Sequence, residues 1–262
     1  TALSTVRSSH AGASVEGYAL FAGGADGQRT VDIVDSVDAY SASLTRTAAA
    51  TLSGERVWMG AASLEGRAFF AGGASSNMNS DNKCANVEVY NSTLTRTAAT
   101  NLSVARYYPL TATIGSRVLF AGGTGNTITK VVDVYSTSLT RTAAADLSRP
   151  TSGDASTVVG NYAIFTSDGN TSCDVYNASL TKTTVTLLSV ARVNMSAGTV
   201  GDYALFAGGG TNSPYSDVVD ACDTSLTRTT VTTLDYPRSG LSSATVGDYL
   251  LFAGGRIDSE NY

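Results

Sequence analysis

Short apolar segments alternate with turns rich in glycine and serine along the whole chain. In one stretch, residues 109–114 and 117–122 flank a Gly-Ser dipeptide, which is typical of a two-residue hairpin turn. Two further strands are expected at 131–135 and 139–143. Because no long amphipathic pattern with a 3.6-residue period appears, the sequence predicts an all-β protein.

These four strands, named A to D, recur six times. The motif Phe-Ala-Gly-Gly ends strand B at five positions, and a degenerate copy of it begins at Phe165. An arginine of a Leu-Ser-x-x-Arg motif precedes each phenylalanine by 14 residues, with Thr151 in that place once. The repeats cover residues 1–49, 50–99, 100–144, 145–185, 186–231 and 232–262, and we expect them to form one domain over 1–262.

The variation in repeat length is confined to one segment. From the phenylalanine to the position of the next tyrosine the spacing ranges from 10 to 20 residues, whereas the flanking spacings are constant. A rigid frame with one variable connection indicates a surface loop between strands B and C.

Each predicted C–D hairpin carries one acidic and one basic residue placed symmetrically about its turn. We expect the two to face each other directly and to contribute about 0.2–1 kcal/mol per pair. Ten of the 39 charged residues are therefore assigned to the scaffold: Asp38 and Arg46, Glu88 and Arg96, Asp133 and Arg141, Asp174 and Lys182, Asp220 and Arg228.

The combination of a double glycine, an acidic-x-Tyr strand and an arginine-containing link resembles the kelch repeat. The resemblance implies a six-bladed β-propeller with four antiparallel strands per blade. One departure is the missing tryptophan of strand D, near which the chain has leucines: Leu44, Leu94, Leu139, Leu180 and Leu226.

The last repeat reaches only Tyr262, which aligns with the tyrosine of strand C. By the repeat spacing it is nine residues short of closing the ring. We expect the sixth blade to lack its outer strand in this chain. The alternative is that another chain donates a strand, or joins a larger assembly, at this open blade.

The composition of the chain argues against several kinds of binding site. The net charge of −5 and the shortage of lysine argue against nucleic-acid binding. A single histidine cannot supply a copper site, and the three cysteines show no metal-binding spacing, so we expect no metal and no cofactor. No apolar run is long enough for membrane insertion.

The residues after each arginine differ most between repeats, and they are the candidate ligand-binding positions. Tryptophan and tyrosine there offer large, rigid contact areas. The candidates are Ser8, Ser9, His10, Trp58, Tyr107, Tyr108, Asn194 and Ser239. Alternatively, Trp58 and Tyr108 plug a central channel or pack between blades.

The recurring arginines also have two interpretations. They either anchor the turn between strand D and the next strand A, or form a cationic ring for an acidic ligand. The residues are Arg7, Arg56, Arg106, Arg192 and Arg238.

We therefore predict a non-catalytic recognition module that binds a protein or a glycan through the B–C loops and D–A links. One alternative is a mutarotase or a sialidase-like enzyme, although periodic arginines fit a unique active site poorly. Another is a structural subunit of an extracellular or phage assembly. Abundant threonine and serine with little lysine suit a secreted protein or a cell or virion surface, and nearly uniform copies are common in bacterial and phage surface proteins.

Overall fold

The computed structural model describes residues 2–26, 32–75, 82–210 and 214–257. The chain divides into two compact units, Thr1–Ala144 and Ala145–Tyr262. Tyr262, on which the expected nine-residue gap depends, lies outside the described residues, and the assignment of one domain over 1–262 stays a prediction.

Regular structure in the described residues is entirely β. Unit 1 contains β1 (Arg7–Ser8), β2 (Ala11–Val15), β3 (Tyr18–Ala22), β4 (Ala25–Asp26), β5 (Asp32–Ile33), β6 (Val37–Ser41), β7 (Arg46–Ala48), β8 (Gly60–Leu64), β9 (Arg67–Ala71), β10 (Val87–Tyr90), β11 (Arg96–Ala99), β12 (Leu110–Ile114), β13 (Arg117–Ala121), β14 (Val132–Tyr135) and β15 (Arg141–Ala143). Unit 2 contains β16 (Ser156–Val159), β17 (Tyr162–Thr166), β18 (Ser172–Asn177), β19 (Lys182–Thr186), β20 (Ser196–Val200), β21 (Tyr203–Ala207), β22 (Val219–Asp223), β23 (Arg228–Thr230), β24 (Arg238–Ser239), β25 (Ser242–Val246), β26 (Tyr249–Ala253) and β27 (Arg256–Ile257).

The strands form repeated antiparallel sheets. Five sheets have four strands in the order A-B-C-D: β2-β3-β6-β7, β8-β9-β10-β11, β12-β13-β14-β15, β16-β17-β18-β19 and β20-β21-β22-β23. Within the described residues, the sixth repeat supplies two two-stranded sheets, β25-β26 and β24-β27. The predicted all-β fold is confirmed, and the first five repeats each have the expected four antiparallel strands.

Burial explains the residue pattern of each strand. In β13 the consecutive residues Val118, Leu119, Phe120 and Ala121 are all buried, as expected for an inner strand covered on both faces. The outer strand β15 is largely exposed and consists of arginine, threonine and alanine. The apolar runs therefore mark strand B, and the threonine-rich runs mark the solvent edge.

The A–B turns are the predicted two-residue hairpin turns. Four of them begin with a glycine whose φ is 50–54°, with no positive φ at the second residue, which fits a type II′ turn. In repeat two, both Glu65 and Gly66 have positive φ, as in a type I′ turn. Sequence alone does not separate these two turns, since both suit the twist of a hairpin.

The C–D hairpins form the predicted ion pairs with a different register. Asp133 lies opposite Ala143, and Arg141 lies opposite Tyr135. The expectation that Asp133 and Arg141 face each other directly is therefore wrong, because the centre of the hairpin lies one residue further along the chain. Arg141 still reaches Asp133 diagonally, with a nitrogen–oxygen distance of 3.2 Å. The same diagonal pairing occurs in the other four hairpins.

The leucine of each C–D turn causes this shift. Leu139 has a φ of 62° and belongs to the turn, so the outer strand begins at Arg141 rather than at 139. Its side chain packs on the core of the preceding repeat, and its carbonyl accepts a hydrogen bond from the Thr100 N–H at 3.0 Å. All five turn leucines share this left-handed conformation, and Leu94 and Leu226 also pack on core clusters, whereas Leu44 is exposed.

Candidate functional site

The recurring arginine belongs to a buried clamp. The Arg106 guanidinium donates to the Asp133 carboxylate and to the Phe120 carbonyl, both at 2.9 Å. The Ser103 N–H and hydroxyl donate to the same carboxylate. Equivalent arginine–carboxylate pairs join Arg7 to Asp38, Arg56 to Glu88, and Arg192 to Asp220.

These contacts are those of a structural anchor. The four arginines are buried, and each guanidinium is directed at groups of its own repeat rather than at solvent. Burial raises the pKa of Asp38, but hydrogen bonds from Ser4 and Arg46 and the charge of Arg7 hold it below its usual value. Arg238 differs, since it is partly exposed and no carboxylate of the described residues pairs with it.

Two residues after the arginine position, the D–A link turns through the left-handed region in every repeat. The residues with φ between 52° and 70° are Ser9, Trp58, Tyr108, Gly153, Asn194 and Gly240. The residue before this turn pairs with the B–C loop, as at Tyr107 with Thr124. Link and loop therefore lie side by side, and we call the surface formed by Ser8, Ser9, His10, Trp58, Tyr107 and Tyr108 the link–loop face of unit 1.

Three aromatic side chains meet on this face. The ring centroid of Trp58 lies 5.4 Å from that of Tyr107 and 5.1 Å from that of Tyr108. Backbone hydrogen bonds fix the arrangement, because the Trp58 N–H donates to Ser9 and the Tyr108 N–H donates to Trp58. Neighbouring links thus hold the rings together without relying on side-chain packing alone.

The three rings differ in exposure. Trp58 and Tyr107 pack on a small apolar cluster that includes Val57 and Ala74, so part of each ring serves packing. Tyr108 is 40% exposed. Burial and the neighbouring Tyr107 raise the pKa of Tyr108 to about 12, so its phenol is a neutral hydrogen-bonding group at pH 7.

The backbone conformation of Trp58 and Tyr108 is unfavourable for such large residues. Left-handed φ values cost non-glycine residues about 1–3 kcal/mol when the surroundings enforce them. The turn leucines Leu94, Leu139 and Leu226 offset the same cost by packing on the core, whereas Tyr108 remains 40% exposed. Gly153 and Gly240 fill the equivalent position without this cost, so the scaffold itself does not require an aromatic residue there.

The polar candidates of unit 1 border these rings. Ser8 and Ser9 are exposed, and His10 is half-buried with its ring 5.7 Å from that of Phe21 in an edge-on contact. Burial and the charge of Arg7 lower the pKa of His10 below 6.5, so the imidazole is neutral at pH 7. The face therefore combines aromatic rings with uncharged hydrogen-bonding groups.

Two predicted candidates belong to unit 2. Asn194 is exposed, and its carbonyl accepts a hydrogen bond from the Gly240 N–H at 3.0 Å. Ser239 is buried, and its hydroxyl donates to the Gly210 carbonyl at 2.6 Å. The Ser239 side chain thus holds the scaffold, whereas Asn194 is accessible to solvent.

An acidic pair in repeat four was not predicted from the sequence. Both carboxylate oxygens of Asp154 are buried and accept no well-aligned hydrogen bond, although Thr166 and the backbone of Ala155 and Asn194 lie close enough to favour the charged form. Burial, together with the charge of Asp168, raises the pKa of Asp154 to about 7. The available signal was that repeat four alone lacks both the arginine and the double glycine.

Asp168 also lines a cleft of unit 2. The cleft has a volume of about 450 Å³ and is bordered by the link around Arg192 and the loop around Gly209. Smaller clefts of about 350 Å³ lie between link and loop in repeats two and three, so the concavity belongs to the repeat architecture.

Residues 2–26, 32–75, 82–210 and 214–257 contain no group of three or more histidine, cysteine or acidic residues that could hold a metal ion. Within the same ranges, no helix is long and apolar enough to cross a membrane.

Comparison with known proteins supports the fold. No family model matches the sequence, and no curated protein matches it. Among the solved structures that match is one titled "Structure of YjhT", with a TM-score of 0.72 and 15% sequence identity over 99% of this chain and 93% of that chain. At this identity the likeness shows the fold alone, an all-β, propeller-like arrangement of repeated sheets.

Proposed function

We propose that the protein is a non-catalytic recognition module that binds a glycan through the link–loop face of unit 1. The proposal depends chiefly on one observation, the contact between Trp58 and the partly exposed Tyr108 at positions where two other repeats have glycine. Large rigid aromatic residues of this kind dominate binding surfaces.

The chemistry of the face favours a neutral sugar. Aromatic rings present flat apolar surfaces to the C–H faces of a sugar, and the hydroxyls of Ser8, Ser9 and Tyr108 suit its polar groups. The clamp arginines are engaged with carboxylates, which gives an acidic ligand little to bind there. A protein ligand would need to bury about 800 Å² on each partner, whereas the six residues of this face suit a smaller ligand such as a sugar.

We also propose that the repeats are of the kelch type and form a six-bladed propeller. The double glycine, the acidic-x-Tyr strand and the arginine link support this assignment, and the likeness in fold is compatible with it. A location outside the cell or on a cell or virion surface is proposed from the serine-rich, lysine-poor composition.

A glycan array with two site variants tests the recognition role. Trp58→Asn and Tyr108→Asn each introduce the residue found at the equivalent Asn194, which tolerates a left-handed φ. We expect each variant to weaken glycan binding by about tenfold or more because the aromatic contact is lost. The unfolding midpoint of Tyr108→Asn should stay near that of the wild type because the substitution relieves strain, whereas Trp58→Asn also loses packing on Val57 and Ala74 and should melt somewhat lower.

Tyr203→Asn provides the matched control, because Tyr203 is an exposed tyrosine of the A–B hairpin in repeat five. This variant should bind as the wild type does. Unchanged binding by Trp58→Asn and Tyr108→Asn would refute the site, and selective binding of a protein instead of any glycan would refute the ligand class.

A second candidate function, an enzyme acting on a sugar, is favoured by Asp154. A carboxyl group that titrates near neutrality suits general acid catalysis. If this function holds, sugar turnover followed by NMR should fall as the pH rises above about 7, and Asp154→Asn should abolish it. Asp248→Asn, at an exposed turn, is the control; turnover that persists in Asp154→Asn would exclude this role for the residue.

A further inference from the structure

We infer that the ligand of the link–loop face of unit 1 is an oligosaccharide, whose chain runs from the aromatic rings into a cleft between the link and the loop of repeat three. The inference rests on the proposed glycan-binding function and deepens it by naming the class of glycan. It assigns the selection for chain length to Val104 and Asn126, two residues of repeat three outside the link–loop face.

The cleft of repeat three continues directly from the aromatic rings. It has a volume of about 350 Å³ and is lined by residues of the link and the loop: Val104, Ala105, Asn126, Thr127 and Thr129. Tyr107 on the link and Thr124 on the loop exchange two backbone hydrogen bonds of 3.1 and 2.8 Å, which join the cleft to the link–loop face. The Cα atoms of Val104 and Tyr108 are at most about 14 Å apart, since so few residues connect them. A chain of a few sugars can therefore contact both.

Backbone hydrogen bonds hold the loop wall of the cleft in place. The Gly125 N–H donates to the Thr127 carbonyl at 3.0 Å. The Thr129 N–H donates to the Gly123 carbonyl at 2.9 Å. A Cβ atom at position 125 would lie only 3.3 Å from Val104 Cγ1, so glycine lets the loop lie close against the link. The cleft is thus preformed, which favours binding because no loop has to be ordered.

The walls of the cleft combine apolar and polar side chains. Val104 on the link is 38% exposed, and Ile128 on the loop is 42% exposed. Asn126, on the same loop, is exposed as well. Gly54 and Arg149 stand at the position of Val104 in repeats two and four, so the scaffold does not require an apolar side chain there. Exposed apolar groups beside an amide suit the C–H faces and the hydroxyls of a sugar.

Asn126 presents a fixed amide at this cleft. The Lys83 ammonium, which comes from the B–C loop of repeat two, donates to Asn126 Oδ1 at 2.9 Å. This bond sets the orientation of the amide, and its Nδ2 hydrogens have no acceptor within the described part of the chain. Two donors held in one direction can bind sugar oxygen atoms. Lys83 is therefore a positioning residue for Asn126.

Isothermal titration calorimetry with neutral sugars of increasing length tests the inference on the full chain. The probes are oligomers of one to four units in three series: β-1,4-linked glucose, β-1,4-linked mannose and β-1,4-linked N-acetylglucosamine. In at least one series we expect affinity to rise about tenfold or more from the single sugar to the trimer, because the added units reach the cleft.

Two variants of exposed cleft residues assign this gain. Asn126→Ala should weaken trimer binding about fivefold or more, because it removes the amide donors, and should leave binding of the single sugar unchanged. Val104→Glu should act in the same direction, since the longer side chain occupies the cleft. Asn161→Ala, at an exposed turn of repeat four, is the matched control and should bind the trimer as the wild type does.

Lys83→Met separates positioning from direct contact. We expect it to weaken trimer binding about threefold in the wild-type background, because the Asn126 amide loses its fixed orientation. In the Asn126→Ala background the same change should have little further effect. By NMR, the Asn126 Nδ2 proton signals should shift when the trimer is added and stay in place when the single sugar is added.

Two results would overturn the inference. One is affinity that does not rise with length in any of the three series, and the other is a gain that survives in both Asn126→Ala and Val104→Glu. If Tyr108→Asn still weakens glycan binding in these cases, the proposed function stands and only the extension into the cleft fails. If no glycan of the array binds, the proposed function fails and this inference fails with it.

Discussion

At the scale of single residues, equivalent positions of the repeats serve as internal controls. Tyr90, Tyr135 and Tyr176 occupy the same place in strand C and contact phenylalanines in the same geometry. The Tyr176 hydroxyl donates to the Ala145 carbonyl at 2.6 Å. The hydroxyls of Tyr90 and Tyr135 are buried and find no hydrogen-bond partner within the described residues. The same hydroxyl group therefore contributes differently to stability at equivalent positions of different repeats.

Removing the Tyr135 and Tyr176 hydroxyls should therefore have different effects on the free energy of unfolding. Tyr135→Phe should leave the free energy of unfolding unchanged or raise it by up to about 1 kcal/mol, because no hydrogen bond is lost. Tyr176→Phe should lower it by about 1 kcal/mol, because the Ala145 carbonyl loses its donor. Urea denaturation of both variants measures the difference; equal effects would contradict the assigned contacts.

At the scale of elements, the link, strand B and strand C of one repeat are joined by the buried clamp. In repeat one, Arg7, Arg46 and Ser4 all donate to Asp38. Removing one member of such a buried group leaves the others without a partner and costs about 3–5 kcal/mol. In repeats one, two, three and five the clamp thus joins the link to strands B and C through buried polar contacts.

Asp38→Asn should show this cost and remove part of the acid sensitivity. The pKa of Asp38 is lower in the folded protein than in the unfolded chain, so its contribution is complete at neutral pH and falls as acid titrates the carboxylate. Thermal melts between pH 7 and about pH 2 should show a shallower acid decline for the variant. Glu55→Gln, at an exposed position, should behave as the wild type; identical acid profiles for all three proteins would contradict the assignment.

Element by element, the sequence predicts the strands better than their register. The inner strands are recognisable because both faces are buried, and the turns because glycine opens most of them. The C–D register shifts because Leu139 takes a left-handed conformation, and leucine gives no signal for that. Its position becomes understandable only from packing on the neighbouring repeat.

At the scale of the whole molecule, repetition explains which parts of the candidate site were predictable. Divergence from the repeat pattern located Trp58, Tyr107 and Tyr108, which the structure brings together. Divergence alone does not give side-chain direction, so Ser239 was selected although its hydroxyl is buried. Asp154 was missed because its unusual pKa arises from burial and from Asp168, which no local sequence pattern reveals.

Whether the link–loop face of unit 1 binds a glycan is decided by a crystal structure of the protein with the strongest-binding sugar of the array. We expect the sugar to lie against the rings of Trp58 and Tyr108, with its hydroxyls bonded to neighbouring serine or tyrosine side chains. A sugar bound instead beside Asp154 and Asp168, with that face empty, would contradict the proposed site.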